Sequence, residues 1–169
     1  PYTILRPFNC VGIGERRAIG DVDIRSGSVS LAMSHVVPDL IQKVLKGQDP
    51  LRILGSGDQV RCYTYGGDLA RGIVTSLGLD AATNEDFNLS TSTATTVSEL
   101  AGLIWTRICG PDRPLSLEYE EPYPHDVQQR IPDVSKARDL LGFVAETPIE
   151  EVLDELIPWI SAAIEEKLI

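Results

Sequence analysis

The chain has 169 residues, of which 43% are hydrophobic and 24% charged, with a net charge of −10. This composition suits a globular domain with a core of its own, and no apolar run reaches the roughly 18 residues of a membrane-spanning helix. The acidic balance argues against nucleic acid as a partner, because phosphate backbones call for a basic footprint.

Residues 2–8 form a β-branched and apolar run suited to a buried strand. The run begins at once, so the chain is expected to open part-way into a larger fold. Residues 10–30 carry Gly12, Gly14, Gly20 and Gly27 among many charges and read as a long loop. Val36, Val37, Leu40, Ile41, Val44 and Leu45 recur at helical spacing, with Pro38 in the first turn and Gly47 as a stop. Residues 51–54 and 60–65 read as short strands, and the turn formers from Gly55 to Gln59 predict a hairpin between them. A helix starts around Asp68, which is expected to cap it, and ends near Gly78.

Residues 86–89 read as a short strand. Thr96 and Glu99 have the spacing of a capping box, predicting a helix to about Cys109 that Gly110 and Pro111 end. Residues 115–119 alternate as a strand would, and residues 120–132 read as a loop. Asp133 is placed to cap a short helix that reaches Leu141 and stops at Gly142. The last helix is expected to bury Ile149, Leu153, Leu156, Ile157, Ile160 and Ile164 and to kink at Pro158. Such strands are too few and too short for a complete doubly wound sheet. The expected fold is an α/β lobe that leans on something else.

The cysteines, Cys10, Cys62 and Cys109, are odd in number and far apart, and with His35 and His125 they give no metal-ligand spacing. Buried thiols in a reducing cytoplasm are the expectation, with neither disulfide nor metal. Gly12-Ile13-Gly14 lacks the third glycine of a dinucleotide cradle, since Arg17 stands there. No Tyr is followed four residues later by Lys, and no G-x-S-x-G occurs. The chain therefore carries no catalytic residues of its own in this reading.

Five blocks stand in a fixed order. They are Arg6-Pro7-Phe8-Asn9, the stretch from Ser34 to Ile41, Gly55-x-Gly57-Asp58-Gln59-x-Arg61, Asp68-Leu69-Ala70-Arg71-Gly72, and Asp126-x-x-x-Arg130-x-Pro132-Asp133-Val134-Ser135-Lys136-Ala137. Together they resemble the C-terminal half of the extended short-chain dehydrogenase/reductase family, in particular its NAD-dependent nucleotide-sugar epimerases, dehydratases and decarboxylases. The resemblance spans nearly the whole chain. Cys62 stands where that family usually has Asp or Ser, and Tyr123 and His125 stand where Arg and Gly are common.

The resemblance implies a fold and a set of roles. Residues 1–169 would be the substrate-binding C-terminal part of a Rossmann-type enzyme, a few sheet strands with a small, mostly helical lobe. The NAD-binding N-terminal half would lie outside this chain. Pro7 and Phe8 would face the nicotinamide of NAD. Asn9 would bond the sugar nucleotide, His35 and Val36 would meet the base through main-chain atoms, and Leu54 would pack on that base. Arg61 would grip the diphosphate, and Asp126 and Arg130 would close over the nucleotide. A guanidinium fork suits a diphosphate because it donates two charge-assisted bonds at once. The implied partners are a UDP- or dTDP-linked sugar, the N-terminal half and, in the full-length enzyme, a second copy. The alternative is a nucleotide-sensing relative without catalysis.

Overall fold

The structure is a computed structural model that describes residues 1–13, 35–122 and 124–167. Most of the expected loop at 10–30, including Arg17, lies outside the described residues, as do Ser34 and Tyr123. In chain order the elements are β1 (Thr3–Pro7), β2 (Cys10–Val11), α1 (Val36–Leu45), β3 (Leu51–Leu54), β4 (Val60–Arg61), β5 (Thr64–Tyr65) and α2 (Gly66–Leu77). A short 3-10 turn at Asp80–Ala82 follows, then β6 (Glu85–Leu89), β7 (Thr95–Thr96), α3 (Val97–Cys109), β8 (Leu117–Glu120), β9 (Gln129–Arg130), α4 (Ser135–Leu141) and α5 (Ile149–Glu165). They fall into two units.

The first unit comprises Pro1–Gly12, Val60–Thr95 and Gln129–Val152. Its β1 and β6 pair in parallel, from Thr3 beside Glu85 to Pro7 beside Leu89. Side chains alternate along a strand, so Phe87 and Leu89 point to one face and are fully buried there. They meet Leu69 from α2, Ala137 and Leu141 from α4, and Phe143 and Ala82. Burying each large apolar side chain contributes about 2 kcal/mol. Gly72 lets α2 lie close on this layer, since a Cβ there would stand 2.9 Å from Phe143 Cε2.

A polar brace ties the exposed and half-buried polar side chains of the same strands. Lys136 pairs with Glu85 (2.8 Å) and Asp86 (2.9 Å), and Arg6 pairs with Asp86 and donates to Asn88 Oδ1 (2.9 Å). Asn88 in turn donates to the carbonyl of Asp133 (2.8 Å). The Lys136 ammonium first, and Arg6 second, hold the Asp86 carboxyl below the usual carboxylate range.

The second unit comprises Ile13–Gln59, Thr96–Gln128 and Leu153–Ile169. Here α1 packs against α3 and β3, and β3 pairs in parallel with β8, Leu51 beside Leu117 and Leu54 beside Glu120. The buried face of α1 is Val37, Leu40, Ile41 and Val44, at the expected helical spacing. The capping box at the start of α3 is present: Thr96 Oγ1 accepts from the Glu99 N–H (3.1 Å) and the Glu99 carboxylate accepts from the Thr96 N–H (2.8 Å). Gly110 ends α3 with a φ of 88°.

Four expectations are corrected. First, there is no hairpin between β3 and β4, because β3 pairs with β8 and β4 with β9, both in parallel. The turn itself is real, with φ of +73° at Gly55 and +80° at Gly57, but it hands the chain to a different partner. Second, α2 begins at Gly66 with Tyr65 at the N-cap, so Asp68 is in the first turn rather than at the cap. Its buried carboxylate instead accepts the Thr147 N–H (2.9 Å) and pairs with Arg71 (3.0 Å). Third, the loop expected at 120–132 contains β9. Fourth, of the free cysteines only Cys62 is buried; Cys10 is exposed and Cys109 half-buried. The α5 helix runs through Pro158, which is exposed, so water can reach the carbonyl that proline leaves without a donor. No helix among the described residues is long and apolar enough to cross a membrane.

Candidate functional site

The residues singled out by sequence divide between the two units. Pro7, Phe8, Asn9, Arg61 and Arg130 belong to the first, and His35, Val36, Leu54 and Asp126 to the second.

In the first unit, Pro7 closes β1 and Phe8 follows it, at the carboxyl end where parallel α/β sheets bind ligands. Pro7 is exposed and Phe8 half-buried, and the Phe8 N–H donates to the carbonyl of Leu89 (3.2 Å). Asn9 turns the chain from β1 into β2 with a φ of 37°, a left-handed conformation that asparagine tolerates better than most residues. Its Nδ2 donates to the carbonyl of Cys62 (3.2 Å), and its own carbonyl accepts the Thr64 N–H (3.0 Å). Asn9 is thus fastened to the main chain next to Arg61.

Arg61 and Arg130 are brought together. The β4–β9 pair is parallel, with Val60 beside Gln129 and Arg61 beside Arg130. Neighbouring strands lie about 4.8 Å apart, and residues in register leave the sheet on the same face. Two guanidinium-bearing residues therefore stand side by side although 68 positions separate them in the chain. Like charges in such a lateral pair repel, and an anion held between them relieves the repulsion. Arg61 Nη1 also donates to the carbonyl of Val60 (2.9 Å).

In the second unit, His35 is the N-cap residue of α1, with an extended backbone and no side-chain capping bond. Its carbonyl accepts the Asp39 N–H (3.0 Å). Val36 opens the helix, where an N–H has no acceptor within the helix itself. Leu54 ends β3 half-exposed, and Asp126 accepts a hydrogen bond from Gln59 Nε2 (3.0 Å).

Two residues beside Arg61 were given no role by sequence reasoning. Gln59 is buried, and its Oε1 has no hydrogen-bond partner. Tyr63 is buried with its hydroxyl equally unpartnered, and burial pushes that phenol up to about 12 against a downward pull from Arg61. Burial likewise raises the Cys62 thiol. The sequence signal available for these was their alternation through Gln59, Arg61 and Tyr63, which marks strand-like spacing without revealing depth.

The parallel pairings and covering helices define the chain first as part of a Rossmann-type α/β fold. An epimerase from Methanothermobacter thermautotrophicus superposes with a TM-score of 0.76 at 25% identity, over 98% of this chain and 45% of its own. UDP-glucose 4-epimerase from Thermotoga maritima, solved with UDP-glucose, gives 0.73 at 29% identity, over 96% and 47%. More specifically, the chain belongs to the family described as GDP-mannose 4,6 dehydratase, whose profile matches residues 29–156. Among curated relatives, UDP-N-acetyl-alpha-D-glucosaminuronate decarboxylase of Bacillus cytotoxicus is 27% identical over 94% of this chain and 46% of its own length. UDP-glucose 4-epimerase of Rhizobium leguminosarum is 29% identical over 92% and 47%. The chain thus spans about half the length of the relatives it matches.

Proposed function

We propose that this chain is the substrate-holding part of an NAD-dependent enzyme that acts on UDP-linked sugars, epimerising, dehydrating or decarboxylating them. The observation that carries the reading is the register match of Arg61 with Arg130. A diphosphate offers several anionic oxygens in a small space, and two adjacent guanidiniums can each donate to it bidentately. The relatives named above include a structure with UDP-glucose bound and enzymes whose names specify UDP-sugars, which points to uridine as the base. In this reading Asn9 contacts the sugar-bearing end, and His35, Val36 and Leu54 receive the base. Asp126 and Arg130 belong to the segment that closes over the guest.

NAD fits this chain at one end only. Pro7 and Phe8 offer an apolar surface beyond the carboxyl end of β1, which suits the face of a nicotinamide ring. The chain has no glycine cradle for the pyrophosphate, so the greater part of the cofactor would be held by the complementary half. When bound, NAD supplies the means to remove a hydride from a sugar carbon and to return it. This chain's residues hold the diphosphate and the base, and so present the sugar in one orientation.

The first unit supports a complementary half. Within it β1 pairs with β6 alone, so its other side is a sheet edge. Tyr2, just before β1, and Ile4 on it are exposed, as are Ile73, Val74 and Leu77 on α2. Tyr2 and Leu77 line a common open hollow of about 360 Å³. An apolar edge of this kind marks a surface that another body covers.

The test is turnover of a panel of UDP- and dTDP-sugars by the protein in which this chain is joined to its cofactor-binding half. The reading expects conversion of at least one UDP-sugar; binding of UDP-sugars with no conversion of any would favour a sensing role, and neither binding nor conversion would overturn it.

A further inference from the structure

The inference rests on the nucleotide-sugar reading above and adds a residue to it. We propose that Gln59 is a positioning residue, whose amide latches Asp126, and with it the segment leading into β9, onto the turn that follows β3. The amide nitrogen donates to the carbonyl of Leu54 (3.0 Å) and to Asp126 Oδ2 (3.0 Å). Glutamine suits the task because one nitrogen carries two N–H donors. Gln59 is 4% exposed, so its bond to a carboxylate is the strong, charge-assisted kind in a place that water hardly reaches.

The turn is shaped around this side chain. At Gly55 a Cβ would come within 2.0 Å of Gln59 Nε2, and the φ of +73° excludes most side chains there as well. The Gly55 N–H donates to the carbonyl of Glu120 (2.9 Å), so the same turn holds the start of the segment while Gln59 holds Asp126. The main chain of Gln59 is itself fixed, since its carbonyl accepts the Val97 N–H (3.1 Å) at the start of α3.

The third amide atom explains the orientation. Oε1 is buried without a partner. Turning the amide over would face Oε1 towards two acceptors and orphan the nitrogen, which is worse. A glutamine present only to fill space would be expected to satisfy all its polar atoms. Here one is left bare so that both donors reach Leu54 and Asp126. Arg61 follows Gln59 by two positions and Arg130 follows Asp126 by four, so the latch ties the two chain segments together just before their arginines.

The test replaces the donor with an acid. In Gln59→Glu two carboxylates meet, and UDP-glucose, whose diphosphate keeps its charge across the range used, is the probe. Relative to wild type, Q59E should bind it about tenfold more weakly at about pH 8. The deficit should shrink at about pH 5, where a shared proton restores a bond between the two carboxyls. Adding Asp126→Asn should recover part of the loss at the higher pH, because the asparagine supplies the missing donor. Without ligand, Gln59→Glu, Gln59→Ala and Asp126→Ala should all speed amide hydrogen exchange across residues 124–130. Wild-type affinity and unchanged exchange in these variants would overturn the proposal, as would a deficit in Q59E that neither acid nor the second substitution relieves. Should wild type fail to bind UDP-glucose, the UDP- or dTDP-sugar of the panel above that it does bind takes its place; if it binds none, the nucleotide-sugar reading falls and the exchange measurement decides the latch by itself.

Discussion

The hydroxyl of Tyr63 is the place where the structure makes its most quantitative claim. It is buried and makes no hydrogen bond, so Tyr63→Phe removes a polar atom that has lost water and gained nothing. A buried unsatisfied group costs about 1–3 kcal/mol, of which the phenylalanine should recover on the order of 1 kcal/mol at neutral pH. A second signature appears in alkali. The phenol titrates near 12 in the folded chain, against 10.0 as its ordinary value, because burial disfavours the phenolate. A group whose folded pKa is raised lends stability that is whole below the unfolded value and disappears as pH rises through the folded one. Wild type should therefore lose about 1 kcal/mol from this residue by roughly pH 11, and about twice that by pH 12, while Y63F loses none of it. Urea unfolding followed by tryptophan fluorescence, at neutral pH and at several points above pH 9, measures both effects as differences between the two proteins. The raised Cys62 thiol is common to both and cancels. A variant less stable than wild type at neutral pH, or one whose stability falls in parallel with it in alkali, would refute the reasoning by showing that the hydroxyl has a partner.

Thr96→Ala removes the side-chain half of the capping box and should cost about 1 kcal/mol, read as a lower unfolding midpoint with no loss of UDP-glucose affinity at saturating folded protein. Asp68→Ala leaves the Thr147 N–H without its acceptor and Arg71 without its buried partner, and should cost about 2–3 kcal/mol in the same assay. Leu77 is 81% exposed, so Leu77→Lys should change stability by less than about 0.5 kcal/mol yet reduce self-association of the chain in sedimentation. Unchanged association would argue against an apolar docking face on α2.

Where local chemistry decides structure, the sequence was legible. The α3 cap is a contract between Thr96 and Glu99 three residues apart, and the stops at Gly47, Gly110 and Gly142 need only a positive φ. Where the partner is distant, it was not. The turn from Gly55 to Gln59 has hairpin chemistry, but whether β4 returns to β3 or joins β9 depends on a segment some seventy residues on. Asp68 stands in the right neighbourhood for a cap, yet its acceptor role is set by Thr147, which no local pattern reveals. The site followed the same division. Arg61 and Arg130 could be picked out by motif, but their shared register belongs to the fold. Gln59 and Tyr63 were passed over because burial, which gives both their interest, is not written in residues on either side.

The central claim is that Arg61 and Arg130 grip one diphosphate. Calorimetric titration of the chain with UDP-glucose tests it most directly, using wild type, Arg61→Ala, Arg130→Ala and the double variant. Each single change should weaken binding by about tenfold or more, and the double change should cost less than the two single losses combined, because both side chains serve the same group. Affinity in the double variant equal to that of wild type would contradict the account.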